Sequence, residues 1–163
     1  MKKAPISQNE SARLKVVQKL HILDTKPEER FDLITKEAVE KLNVPIAMVT
    51  IIDSNREWYK SCQGLDVKEG GRDESFCGHA MFADTIFIVE DTLEDERFKD
   101  NPQVTQVPGI RFYAGVSLHD LATGLPVGVF CVKDTKPRVL GVSEIDTLLE
   151  LATKAETELM KPR

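Results

Sequence analysis

Three observations predict an α+β fold built on an antiparallel sheet. Helical apolar periodicity is confined to the two ends of the chain. Between them lie short apolar, β-branched runs, and two pairs of these are joined by hairpin signals. No helical crossover separates the strands of either pair, as a parallel pairing would require.

The elements follow in order. Ser7 and Glu10 stand three apart ahead of Leu14, Val17 and Leu20, which predicts a capping box leading into an amphipathic helix that stops near His21. A second capping box, Thr25 with Glu28, encloses Pro27 in its first turn, and Phe31, Ile34, Ala38 and Leu42 then recur at helical spacing up to Asn43. "VPIAMVTIID" is an almost unbroken apolar run, as expected of a central strand covered on both faces. A turn at Asp53, Ser54 and Asn55 leads into "EWYKSC", whose alternation of Trp58, Lys60 and Cys62 against Tyr59 and Ser61 reads as the return arm of a hairpin. Later strands are expected at "IFIVED", "RFYAGVSLHD" and "LPVGVFCVKD", the last two joined by "LATG". Ser143 then caps a helix that carries Ile145, Leu148, Leu149, Ala152, Ala155 and Leu159 along one side. From about Gly64 to Pro108 the chain is long, charged and rich in Gly, Pro, Asp and Asn, with one short strand predicted inside it. Long ordered excursions on a scaffold are where binding sites concentrate.

At 163 residues with 41% hydrophobic content, residues 1–163 are read as a single domain with a sizeable core. The formal charge of -5, with cations scattered among acids, supplies no basic stripe to neutralise phosphates, so nucleic acid is excluded as a partner. The cysteines Cys62, Cys77 and Cys131 show no CxxC spacing, and no apolar leader follows "MKKAPISQNE", which reads as a cytoplasmic protein with reduced thiols. No apolar run approaches the ~20 residues of a membrane span.

The blocks "ILDTKPEERFDLITKEAVEKLNVPIAMVTIID", "REWYKSCQGLD", "ESFCGHA", "VEDTLEDERFKDNPQV" and "PGIRFYAGVSL", in this order, resemble a bacterial subgroup of GAF domains from about Leu20 to Leu151. The resemblance implies a GAF/PAS-like sheet of five or six strands. It places the N- and C-terminal helices on one face, with loops and short helices enclosing a pocket on the other. Domains of this appearance commonly precede histidine kinases and diguanylate cyclases and regulate them. The implied function is a non-catalytic sensory module that binds a small-molecule ligand or a signalling protein. A homodimer through the terminal helices is also expected, because the stripe from Ile145 to Leu159 can pair with the first helix as well as pack on the sheet.

Within "DESFCGHAMF", Ser75 is expected to start a short helix anchored by Phe76 and Met81. Cys77 and His79, two apart on a helix, diverge by about 200°, so only one of them faces a pocket and they form no dyad. A zinc site needs about four ligands, and the three cysteines and three histidines show no paired spacing. Cys77 is read as a small buried hydrophobe. The alternative is a thiol redox enzyme or sensor, because the first turn of a helix favours thiolate, with Cys131 or Cys62 as resolving partner. Free methionine-(R)-sulfoxide reductases of GAF type carry a similar Cys-Gly setting but use a second cysteine near where "IRFYAG" stands, and here Tyr113 occupies that region. Gly78 separates cysteine from histidine, unlike bilin-binding relatives, and the asparagine-lysine and aspartate pattern of cyclic-nucleotide binders is missing, so no cofactor is assigned.

Arg111 and Tyr113 are expected on one strand face with Phe112 on the other. A guanidinium beside a phenol can hold a carboxylate or phosphate, or Arg111 can pair with Asp91, Asp95 or Glu74. Trp58 either lines the pocket or packs the hairpin against a helix, with packing preferred. "EDTLEDERFKDNP" reads as a solvated loop pinned by Arg97 and Phe98, or as a pocket lid. The candidate ligand-binding set is therefore Trp58, Cys77, His79, Asp91, Arg111 and Tyr113, with no catalytic residue and no metal ligand.

Overall fold

The apolar runs pair into one sheet. The computed structural model describes residues 1–162. Its strands are β1 (Ile46–Ile52), β2 (Arg56–Gln63), β3 (Glu69–Gly71), β4 (Ile86–Val89), β5 (Phe112–His119) and β6 (Pro126–Asp134). They form a six-stranded antiparallel sheet in the order β3-β2-β1-β6-β5-β4. β1 and β6 lie at its centre. Every residue of β1 is buried, and so is every residue of β6 after Pro126, because both faces of the sheet are covered.

Helices α1 (Glu10–Lys19), α2 (Glu29–Leu42) and α5 (Val142–Leu159) cover one face. Phe31, Ile34 and Ala38 from α2 and Leu148, Leu151 and Ala155 from α5 meet Ala47, Val49 and Ile51 of β1 and Phe130 of β6 there. The other face carries α3 (Phe76–Ala80), a 3-10 turn at Thr92–Glu94 and α4 (Pro102–Thr105), with Phe76, Cys77, Phe98, Tyr113 and Cys131 forming a second core. Alternation along β6 divides the two cores cleanly: Val129 and Cys131 face the loops, while Phe130 and Val132 face the helices.

The structure departs from the sequence reading at three points. No predicted capping box forms. Asn9 precedes α1 and Glu28 precedes α2, while the Thr25 hydroxyl donates to the Ile22 carbonyl at 2.5 Å and leaves Pro27 outside the helix. The last helix begins after Gly141 rather than at Ser143, and the Glu144 carboxylate accepts the Gly141 N–H at 3.1 Å. Second, β2 does not alternate throughout. Val49 faces Ser61 and Thr50 faces Tyr59, so Lys60 is the extra residue of a β-bulge. Trp58, Lys60 and Ser61 consequently turn to the helices, whereas Tyr59 and Cys62 turn to the loops. Third, the Gly64–Pro108 stretch holds two strands, β3 and β4, rather than one.

Candidate functional site

The loop face begins with α3. Ser75 caps it, its Oγ accepting the Gly78 N–H at 2.8 Å, and the whole five-residue helix is buried. Gly78 sits where the N-terminal segment crosses: a Cβ there would lie 2.6 Å from the Ala4 Cβ. Cys77 points down onto the sheet, its thiol 3.6 Å from the Cys131 Sγ, and the Tyr113 phenol donates to the Cys77 Sγ at 3.0 Å. Gly115 makes this possible, since a Cβ there would stand 2.4 Å from the Tyr113 hydroxyl. The Phe98, Phe76 and Tyr113 rings stack in sequence, with centroid separations of 4.4 and 5.2 Å. His79 diverges from Cys77 as helical geometry requires, placing its ring edge-on to Phe98 and its Nε2 3.3 Å from the Lys2 carbonyl.

These surroundings decide the chemistry of the thiols. Burial raises the Cys77 pKa well above the ordinary thiol value, and the neighbouring Cys131 adds to the effect. Cys62 is likewise pushed up to about 11 by burial. The dipole of so short a helix does not overcome desolvation, and Cys77 stays a neutral thiol. His79 is held below its usual pKa, first by burial.

The predicted residues separate into three places. Cys77 and Tyr113 share one cluster, with His79 on the outer side of α3. Trp58 lies on the opposite, helix-facing side of the sheet beside Ile51. Arg111 precedes β5 and binds Asp91 through three contacts of 3.0–3.1 Å at the half-exposed edge of the fold. No hydrogen bond among the described residues joins that pair to the Cys77 cluster.

Sequence reasoning passed over three residues. Lys133, on the loop-facing side of β6, is fully buried, with its Nζ near the Phe76 and Tyr113 rings and 3.0 Å from the Gln103 Oε1. Burial by itself would lower its pKa, but the surrounding acidic groups, Glu57 first and then the three cysteines, together more than offset this and hold it above the usual lysine value. Glu57, on β2, is 1% exposed; the Ser75 hydroxyl donates to its Oε1, and its Oε2 has no partner. Gln103 spans from Lys133 to the Glu74 carbonyl, which its Nε2 reaches at 2.9 Å. Outside this bridge runs a groove of about 260 Å³ walled by Tyr59, Leu65, Gly70, Glu74, Gln103 and Ile110. The available signal was Lys133 itself, a charge in phase with Val129 and Cys131 in an otherwise apolar run.

Comparison with known proteins gives a consistent family. The family model of the GAF domain matches residues 26–159. A cyclic di-GMP phosphodiesterase of Pseudomonas aeruginosa is 39% identical over 134 residues, which cover 82% of this chain but only 23% of that protein. Among solved structures, the GAF domain from a Coxiella burnetii phosphoenolpyruvate-protein phosphotransferase superposes with a TM-score of 0.66 at 15% identity, covering 93% of this chain and 94% of that one. The type II free methionine-R-sulfoxide reductase of Thermoplasma acidophilum superposes with a TM-score of 0.65 at 13% identity, covering 80% and 90% of the two chains. At such identities the structural matches establish the fold. No helix among the described residues is long and apolar enough to cross a membrane.

Proposed function

The chain belongs to the GAF domain family, and on that premise we propose that it is a non-catalytic sensory module of the cytoplasm. A small ligand enters the groove on the loop face, and the change reaches a signalling partner through α1 and α5, which also form a homodimer. The observation that carries this reading is the loop face itself. It holds buried charges with hydrogen-bonding capacity left over beside an open groove, whereas the charges buried on the helix side, Arg13 and Lys60, are ion-paired to Glu10 and Glu28. The relationship to a cyclic di-GMP phosphodiesterase supports a place in signalling. A relay requires that the ligand prefer one arrangement of the helices, since equal affinity for both shifts nothing. Hydrogen exchange on the purified protein, before and after removal of small molecules, tests it. Binding should protect α3 and α4 and also change exchange in α1 or α5. Protection confined to the groove would refute the relay.

A thiol redox reading draws on the 3.6 Å approach of Cys77 to Cys131. In it, two thiols would give up two electrons and two protons to a peroxide, forming a disulfide and two waters. The raised pKa of Cys77 and its complete burial argue against this reading. Mass spectrometry after mild peroxide should find both thiols intact.

A further inference from the structure

Glu57 and Lys133 present a physical problem. Burying a charge is costly unless it is paired and hydrogen-bonded. The Lys133 ammonium has three donors, and one is used, by Gln103. The Glu57 carboxylate keeps one oxygen without a partner, and among the described residues no ion pair joins the two groups. The fold therefore holds a cation and an anion on one face of the sheet, each with hydrogen-bonding capacity left over.

Each adjoins residues that line the groove. Gly70 in its wall is the cross-strand partner of Glu57, and Tyr59 in the same wall is the next loop-facing residue along β2. Gln103 lines the same groove and accepts a hydrogen bond from the Lys133 ammonium. Its amide oxygen is neutral, so an ionised oxygen from a ligand makes the stronger bond to the ammonium. Lys133 and Glu57 carry opposite charges, so a ligand of one sign would satisfy one group and leave the other stranded or repelled. A polyanion such as a nucleotide would also meet Glu57 and Glu74 with like charge.

We propose that this site takes a small zwitterion, its anionic group on Lys133 in place of the Gln103 amide oxygen and its cationic group on the free oxygen of Glu57. The inference rests on the ligand-binding reading above and names the class of ligand. Free α-amino acids are the simplest molecules of that kind and serve as the probe. The purified protein is titrated calorimetrically with a panel of them and, separately, with alkylamines and alkyl carboxylates that carry one end only; nucleotides form a third arm. At least one amino acid should bind, with the one-ended analogues roughly tenfold or more weaker, the worth of one charged hydrogen bond. Glu57→Gln, which keeps the shape, should weaken amino-acid binding by a similar factor. Gln103→Ala should tighten it, because the internal competitor for Lys133 is gone; weakening in that variant would assign Gln103 a purely structural role and overturn the exchange. Equal affinity for a one-ended acid, or binding of a nucleotide with the amino acids silent, overturns the zwitterion and leaves the sensory reading in place. Failure of all three arms, with no small molecule released on denaturing the purified protein, overturns both.

Discussion

The two faces of the sheet are built on different principles. On the helix face, Phe31, Val49, Ile51, Phe130 and Leu148 interlock in one apolar cluster. The charges buried on that side are answered: the Lys60 ammonium reaches Thr25, the Lys26 carbonyl and Glu28, and Arg13 binds Glu10 and the Ile52 carbonyl. On the loop face, Cys77, Tyr113, Lys133 and Glu57 lie among aromatic rings, and two of their charges are incompletely matched. A surface selected for packing alone would have removed those charges, since hydrophobic replacements of buried ions are often neutral or better. The difference is the reason the proposed ligand is placed on the face that is less well satisfied.

The sharpest way to break this comparison is to damage the helix face. Phe31 is completely buried under α2, and Phe31→Ala should cost about 3–5 kcal/mol in urea unfolding, a large share of a domain's stability. A loss below about 1 kcal/mol would mean that the helix face is not the stabilising one. A smaller effect of opposite sign is expected across the sheet. Replacing Glu57→Gln together with Lys133→Met should leave stability unchanged or raise it by about 1–4 kcal/mol, because both buried charges leave at once. Marked destabilisation of this double variant would show that the pair is structural and erase the contrast between the faces.

The smallest effect concerns the join between the two faces. Glu10 of α1 binds Arg13 on its own helix and also Arg72, which leads into α3. Partial burial alone would raise its pKa, but the two guanidinium groups bring it down from 4.5 to about 2. A carboxylate depressed in the folded state adds stability that is present above about pH 4.5 and lost as pH falls toward about 2. The acid limb of unfolding should therefore flatten over that interval in Glu10→Gln relative to the unchanged protein. Superimposable limbs would remove the electrostatic link between α1 and the loop face.

Most of the helix face was legible from the sequence. The spacing of Phe31, Ile34, Ala38 and Leu42, and the unbroken run through Ile46–Ile52, encode periodicity and burial, which are local properties. Helix starts were less legible. Ser7 and Thr25 have the chemistry of caps, but Glu10 and Glu28 are drawn instead to Arg13, Arg72 and Lys60, partners up to 62 residues away. The bulge at Lys60 could not be read either, since it is set by the register of β2 against β1 and sends Trp58 and Lys60 to the helix face while Cys62 faces the loops.

For the site, the sequence by itself determined that Ser75 begins a short helix and that Cys77 and His79 must point apart, because a helix fixes both through its own geometry. It also determined that Phe112 and Tyr113 take opposite faces of their strand. Only the tertiary structure decided that Cys77 meets Cys131 and Tyr113, that Arg111 is taken up by Asp91, and that Glu57, Lys133 and Gln103 converge from β2, β6 and α4 beside one groove. The physical reason is that a charge in a strand carries no local mark of its partner: whether Lys133 is satisfied depends on groups 30 and more residues distant, which the folding of the sheet and loops alone brings within reach.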